Sequence, residues 1–155
     1  MKSGCVIIGL IVLVFVSGCE KKETKINGPE KISEDVEKEE VAYTFLLKKV
    51  QEDNCNLIAS KDDNNLSLIQ DIIQTNRFEI EVEDYNNIEQ GPDLCYYSKS
   101  TKKLLTIIDV TKRDEKRYYI SYYMGPEGGA SKEIHLEKRN GKWIILNDDG
   151  MWSVK

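Results

Sequence analysis

The hydrophobic period of the chain changes at about its midpoint. From Ser33 to Asn76 apolar residues recur at helical spacing; from Phe78 onward they alternate or gather in short runs. Val41, Ala42, Phe45, Leu46 and Val50 fall on one stripe of a helix. Ser33 stands before it as an N-cap, with Glu34, Asp35 and Glu37 in the first turns and Lys48 and Lys49 near the end. Each charge sits where the helix dipole favours it. After a polar stretch, Lys61 to Asn65, the residues Leu66, Ile69, Ile72 and Ile73 predict a second, shorter helix. Asn76 closes it in a left-handed conformation.

Then the period becomes two. Phe78, Ile80 and Val82 alternate with Glu79, Glu81 and Glu83, a half-buried strand with a wholly acidic outer face. Gly91-Pro92-Asp93 predicts a turn and Leu94 to Tyr97 a short strand. Leu104 to Val110 and Arg117 to Met124 are strands flanking the charged turn Lys112 to Lys116. Gly125 to Gly129 breaks the second of these, and Lys132 to Arg139 alternates again. Asn140-Gly141 is a hairpin signal, because a type I′ turn needs positive φ at both central residues. Lys142 to Leu146 is its return strand, and Asp148-Asp149-Gly150 turns the chain into a last segment through Trp152. Helices followed by a meander predict an α+β domain, its N-terminal helices packed on one face of a curved antiparallel sheet.

The first residues do not belong to that domain. Lys2 precedes a twelve-residue apolar run, Cys5 to Val16, the layout of a secretory signal peptide. The run is shorter than the roughly 20 residues that span a bilayer. It ends in Val16-Ser17-Gly18-Cys19, which resembles the lipobox of bacterial lipoproteins. The resemblance implies cleavage before Cys19, lipidation of that cysteine and an extracytoplasmic protein held to the membrane. Glu20 follows, and the lack of an Asp there implies the outer membrane in a Gram-negative cell. The expected organisation is a signal peptide at 1–18, a lipidated cysteine and flexible tether at 19–32, and one domain at 33–155.

Composition narrows the function classes. The chain has 155 residues and a net charge of −5, without the basic face of a nucleic-acid binder. Three prolines and ten glycines exclude collagen-like and Pro-rich architectures. Of four cysteines, Cys5 leaves with the signal peptide and Cys19 takes the lipid; Cys55 and Cys95, an even pair in an oxidising compartment, are expected as a disulfide.

Two helices, a curved sheet and the closing run Arg139-Asn140-Gly141-Lys142-Trp143-Ile144-Ile145 resemble the NTF2-like, cystatin-like α+β cone over roughly Ser33 to Leu146. Many small bacterial lipoproteins and immunity-type proteins are similar. The resemblance implies a fold and a cone pocket for a small ligand, and brings no catalytic motif.

The tyrosine doublets are the most suggestive chemistry. On a strand, Tyr118 and Tyr122 share one face with Ile120, while Tyr119 and Tyr123 share the other with Ser121. Exposed tyrosines offer contact area at low entropic cost, so Tyr119 and Tyr123 are the expected interaction face. Ordinary cross-strand pairing explains the same residues. Glu79, Glu81 and Glu83 form a candidate acidic face, against the alternative of a solvated strand. His135, the only histidine, alternates with Glu133 and Glu137, a weak pattern for a metal or a general base. No cofactor motif is present, and no metal site is assigned. The leading expectation is a lipid-anchored binding protein with an envelope protein partner or small ligand. A small hydrolase using His135 and a passive structural lipoprotein are the alternatives.

Overall fold

The computed structural model describes residues 33–126, 128–146 and 152–154. The signal peptide, Cys19, the tether and the turn at Asp148-Asp149-Gly150 lie outside them. Helix α1 (Glu34–Glu52) begins where the Ser33 hydroxyl accepts the Val36 amide at 3.3 Å. Lys49 in its last turn reaches Asp53 at 2.6 Å. Its inward face is Ala42, Tyr43, Leu46, Leu47 and Val50, all fully buried. Val41 and Phe45, expected on the buried stripe, lie half-buried at its margin. The apolar arc of this helix is wider than the sheet beneath it covers.

The chain continues through β1 (Leu57–Ser60), α2 (Leu66–Asn76), β2 (Glu81–Val82), β3 (Ile88–Gln90) and β4 (Tyr96–Ser98). Then come β5 (Leu104–Lys112), β6 (Arg117–Gly125), β7 (Gly128–Arg139), β8 (Lys142–Ile145) and β9 (Ser153–Val154). The described strands form one strongly curled, mixed sheet with the order β2-β1-β5-β6-β7-β8. The β3–β4 hairpin joins β5, and β9 joins β7. The α+β class holds; the wholly antiparallel meander does not. β1 runs parallel to both β2 and β5, with Ile58 opposite Thr106. Its four residues are all buried, so no alternation marks them as a strand. The expected strand at Phe78 shrinks to Glu81–Val82, because only those residues reach β1. Helix α2 ends with Arg77, not Asn76, in the left-handed region (φ 57°), while the Asn76 amide donates to the Ile72 carbonyl at 2.9 Å. At the β7–β8 turn, Asn140 and Gly141 take φ of 51° and 78°, as a type I′ turn requires.

The alternation of β6 sorts its side chains. Tyr118, Ile120 and Tyr122 enter the main core with Ile58, Ile108, Ile134 and Leu136, under α1 and α2. On the other face Leu57, Ala59, Leu105 and Ile107 form a smaller core, against which Tyr85, Ile88, Tyr96 and Tyr123 pack.

Candidate functional site

A cleft of about 280 Å³ opens on the face away from the helices, near the lower size limit of small-ligand sites. Three elements wall it with tyrosine. Tyr85 comes from a 3-10 turn (Tyr85–Asn87), Tyr96 from β4 and Tyr123 from β6. Tyr96 meets Tyr123 nearly edge-on, ring centroids 5.9 Å apart. The Tyr123 hydroxyl donates to the Leu94 carbonyl at 3.4 Å, tying the β3–β4 hairpin to the sheet. The floor is low: Ser121, Gly129, Ala130 and Ser131. Gly129 has φ +151°, and a Cβ there would come within 2.8 Å of the Tyr122 carbonyl oxygen. A side chain is therefore excluded where the floor is lowest. Lys61 stands at the rim, 3.9 Å from Asp109. Aromatic walls, hydroxyls below and one cation suit a ligand with a flat apolar face and polar edges.

The hairpin that carries Tyr96 is fastened by polar groups. The Glu83 carboxylate accepts from Ser98 Oγ at 2.6 Å and Asn87 Nδ2 at 2.8 Å, and these bonds hold its carboxyl below the usual carboxylate range. The Tyr97 hydroxyl donates to Asp93 at 2.6 Å, which pushes the phenol up to about 12.

Tyr119 and Tyr123 share the face away from the helices, with Ser121 between them, and both are half-buried. They do not make one patch: Tyr123 belongs to the cleft, whereas Tyr119 lies under the Arg113 guanidinium, 5.0 Å from its ring. The acidic stripe is divided. Glu79 and Glu81 are exposed, Glu81 lies 3.7 Å from Lys103, and Glu83 turns inward to the hairpin. A uniform acidic face is thereby corrected, because the strand that would align the three residues stops at two. His135 is exposed on β7 with Nε2 3.2 Å from Glu133 Oε1, while Glu137 pairs with Arg139 at 2.7 Å. Among the described residues no three His, Cys, Asp or Glu side chains gather as metal ligands.

Cys55 and Cys95 are separate thiols in the structure, in place of the expected disulfide. Cys55 sits in the main core, its sulfur 3.0 Å from Met124 Sδ. Cys95 sits at the foot of β4 against Gly125, where a Cβ would come within 2.5 Å of its sulfur. Met124 fills the space that Cys55 faces. Burial pushes both thiols up, assisted at Cys95 by Asp93, so neither is an activated thiolate.

Sequence reasoning found Tyr123 but missed Tyr85, Lys61 and the glycine floor. Tyr96 was visible only as part of a doublet. No helix among the described residues is long and apolar enough to cross a membrane. Compared with known proteins, the chain matches no family model, no curated protein and no solved structure.

Proposed function

We propose that this protein is a lipid-anchored binding module of the bacterial envelope, held by Cys19 and using the tyrosine-walled cleft as its recognition site. The cleft carries the binding half of the reading: three tyrosines from separate elements converge over a floor of serine, alanine and glycine. Convergence of distant elements on one concave spot is what a recognition site needs. The N-terminal sequence carries the anchoring half, through its apolar run and Val16-Ser17-Gly18-Cys19. The curled sheet with two helices on one face supports an NTF2-like cone as the scaffold. His135 is exposed on β7, with Nε2 3.2 Å from Glu133 Oε1, away from the tyrosine-walled cleft.

Chemical cross-linking in intact cells, followed by mass spectrometry, tests the binding half. One stoichiometric partner or co-purifying small ligand, lost in Tyr123→Ser and Tyr96→Ser, is the expected result. A partner retained by both variants would place recognition elsewhere. Fractionation tests the anchor: Cys19→Ala should leave the membrane fraction, and its retention there overturns lipidation.

A further inference from the structure

On the helix side of the sheet an open groove of about 750 Å³ lies between α1 and β8. Its two walls differ in kind. The α1 wall is Glu37, Glu40, Val41, Thr44, Phe45 and Lys48, spaced by three and four, which is one stripe of a helix. The other wall is Gly141 through Ile145 without a gap. Successive strand residues point to opposite faces, so five consecutive lining residues mean that β8 presents its edge and not a face. Among the described residues β8 pairs only with β7, which leaves the N–H and C=O groups of its outer edge without a partner strand. The groove floor is apolar: Trp143 and Ile145 turn toward the core, and half-buried Val41 and Phe45 face it from α1, Phe45 being also stacked with Trp152, ring centroids 5.9 Å apart.

We infer that this groove takes an extended peptide from a partner protein, added to β8 as one more antiparallel strand. The peptide backbone bonds the open edge of β8, and its alternate side chains enter the strip formed by Val41 and Phe45. Contacts of β7 with α1 fix the direction of β8. Lys138, opposite Trp143 in the sheet, reaches Glu34 at 2.9 Å, whereas Lys132, earlier on β7, lies over the Phe45 ring at 5.4 Å. β7 therefore runs against α1, and β8 runs with it. An antiparallel peptide enters at the Lys48 end and leaves at the end of Glu37 and Glu40. It carries apolar residues at alternate positions, an acidic residue in its first half facing Lys48, and a basic one in its last half facing Glu37 and Glu40, which outnumber Lys142 on the strand wall at that end. This site lies on the opposite side of the sheet from the tyrosine cleft and stands or falls without it.

The test is selection of a phage-displayed random 12-mer library on the immobilised full-length protein, followed by titration of the best synthetic peptide. The expected result is enrichment of alternating apolar sequences with acid-first, base-last polarity. Thr44→Arg, on the partly exposed helix wall, should weaken the peptide about tenfold, a loss of one decade in Kd. Val41→Glu should do the same, with circular dichroism confirming that both variants are folded. N-methylation of alternate peptide amides, which keeps every side chain, should weaken binding at least as much. Selected peptides with helical periodicity, or binding indifferent to N-methylation, would overturn strand addition. No enrichment over Thr44→Arg overturns the site, as does a dimer closed through β8 in light scattering, since a second copy would then be the occupant.

Discussion

Under α1 and α2 the sheet presents Ile58, Ile108, Ile120 and Ile134, and none of them meets water. On the other face Leu105 and Ala59 are just as buried, but what covers them is of another kind. The helices close their face with Tyr43, Leu46, Leu47 and Val50. The segment from Tyr85 to Ser98 closes the second face with half-buried Tyr85, Ile88 and Tyr96, and is fastened at its margin by Glu83, Ser98 and Asn87. Apolar burial grows with area and is indifferent to direction. Polar fastening depends on a few directed bonds, each worth little net but costly to leave half-made. One cover is thus part of the folding unit, and the other is an attached flap whose edge forms a binding cleft.

The contrast can be broken most forcefully from the helix side. Leu46→Ala should cost about 2–5 kcal/mol of global stability, read by urea denaturation, because a fully buried leucine leaves a cavity. On the flap side, Glu83→Ala should cost about 1–3 kcal/mol, appearing first in faster amide exchange of residues 88–98. If Glu83→Ala lowers exchange protection in α1 and in the flap equally, the two covers are one cooperative unit and the distinction fails.

A pH titration sharpens the picture at the junction of α1 with the sheet. Asp53 accepts from Lys49 and from the Tyr122 hydroxyl. Burial alone would raise its carboxyl, but these two bonds outweigh that and hold it below the usual value of 3.8. A carboxylate depressed by folding stabilises at pH above its unfolded value and loses that contribution as pH falls through the folded one. Stability measured by denaturant at stepped pH should therefore decline below about pH 4, and Asp53→Asn should remove part of that decline. The smallest effect is chemical. Iodoacetamide should alkylate Cys95, part-exposed at the foot of the flap, before Cys55, which is 8% exposed in the main core. Equal rates would mean that the core around Met124 opens as readily as the flap.

Much of the helix-covered half was legible in the sequence, because its signals are local. Ser33 caps, the acidic first turn and the apolar period specify α1; Asn140-Gly141 specifies the last hairpin; and the alternation in 117–123 separates Tyr118 and Tyr122 from Tyr119 and Tyr123. β1 was not legible, because four residues buried on both faces carry no period. The wall of the cleft was not legible for another reason. Tyr85 lies in a turn, Tyr96 in a three-residue strand and Gly129 after a break, and only the sheet register brings them beside Tyr123. The cysteine pairing rested on parity and compartment, neither of which knows that Met124 stands against Cys55.

The parallel placement of β1 also orders events in time. β5, β6, β7 and β8 are joined by short connections and meet their neighbours soon after synthesis. β1 must wait, since one neighbour is β5, with Ile58 opposite Thr106 far along the chain. A ribosome delivers α1, β1 and α2 first, and Leu46, Ile58 and Ile69 on their inward faces then lack Ile108, Ile120 and Ile134 of the sheet that completes their core. Pairings of such high contact order are slow to form. The first third of the domain is consequently the part most in need of a chaperone's protection during biosynthesis, until the sheet closes over its apolar faces.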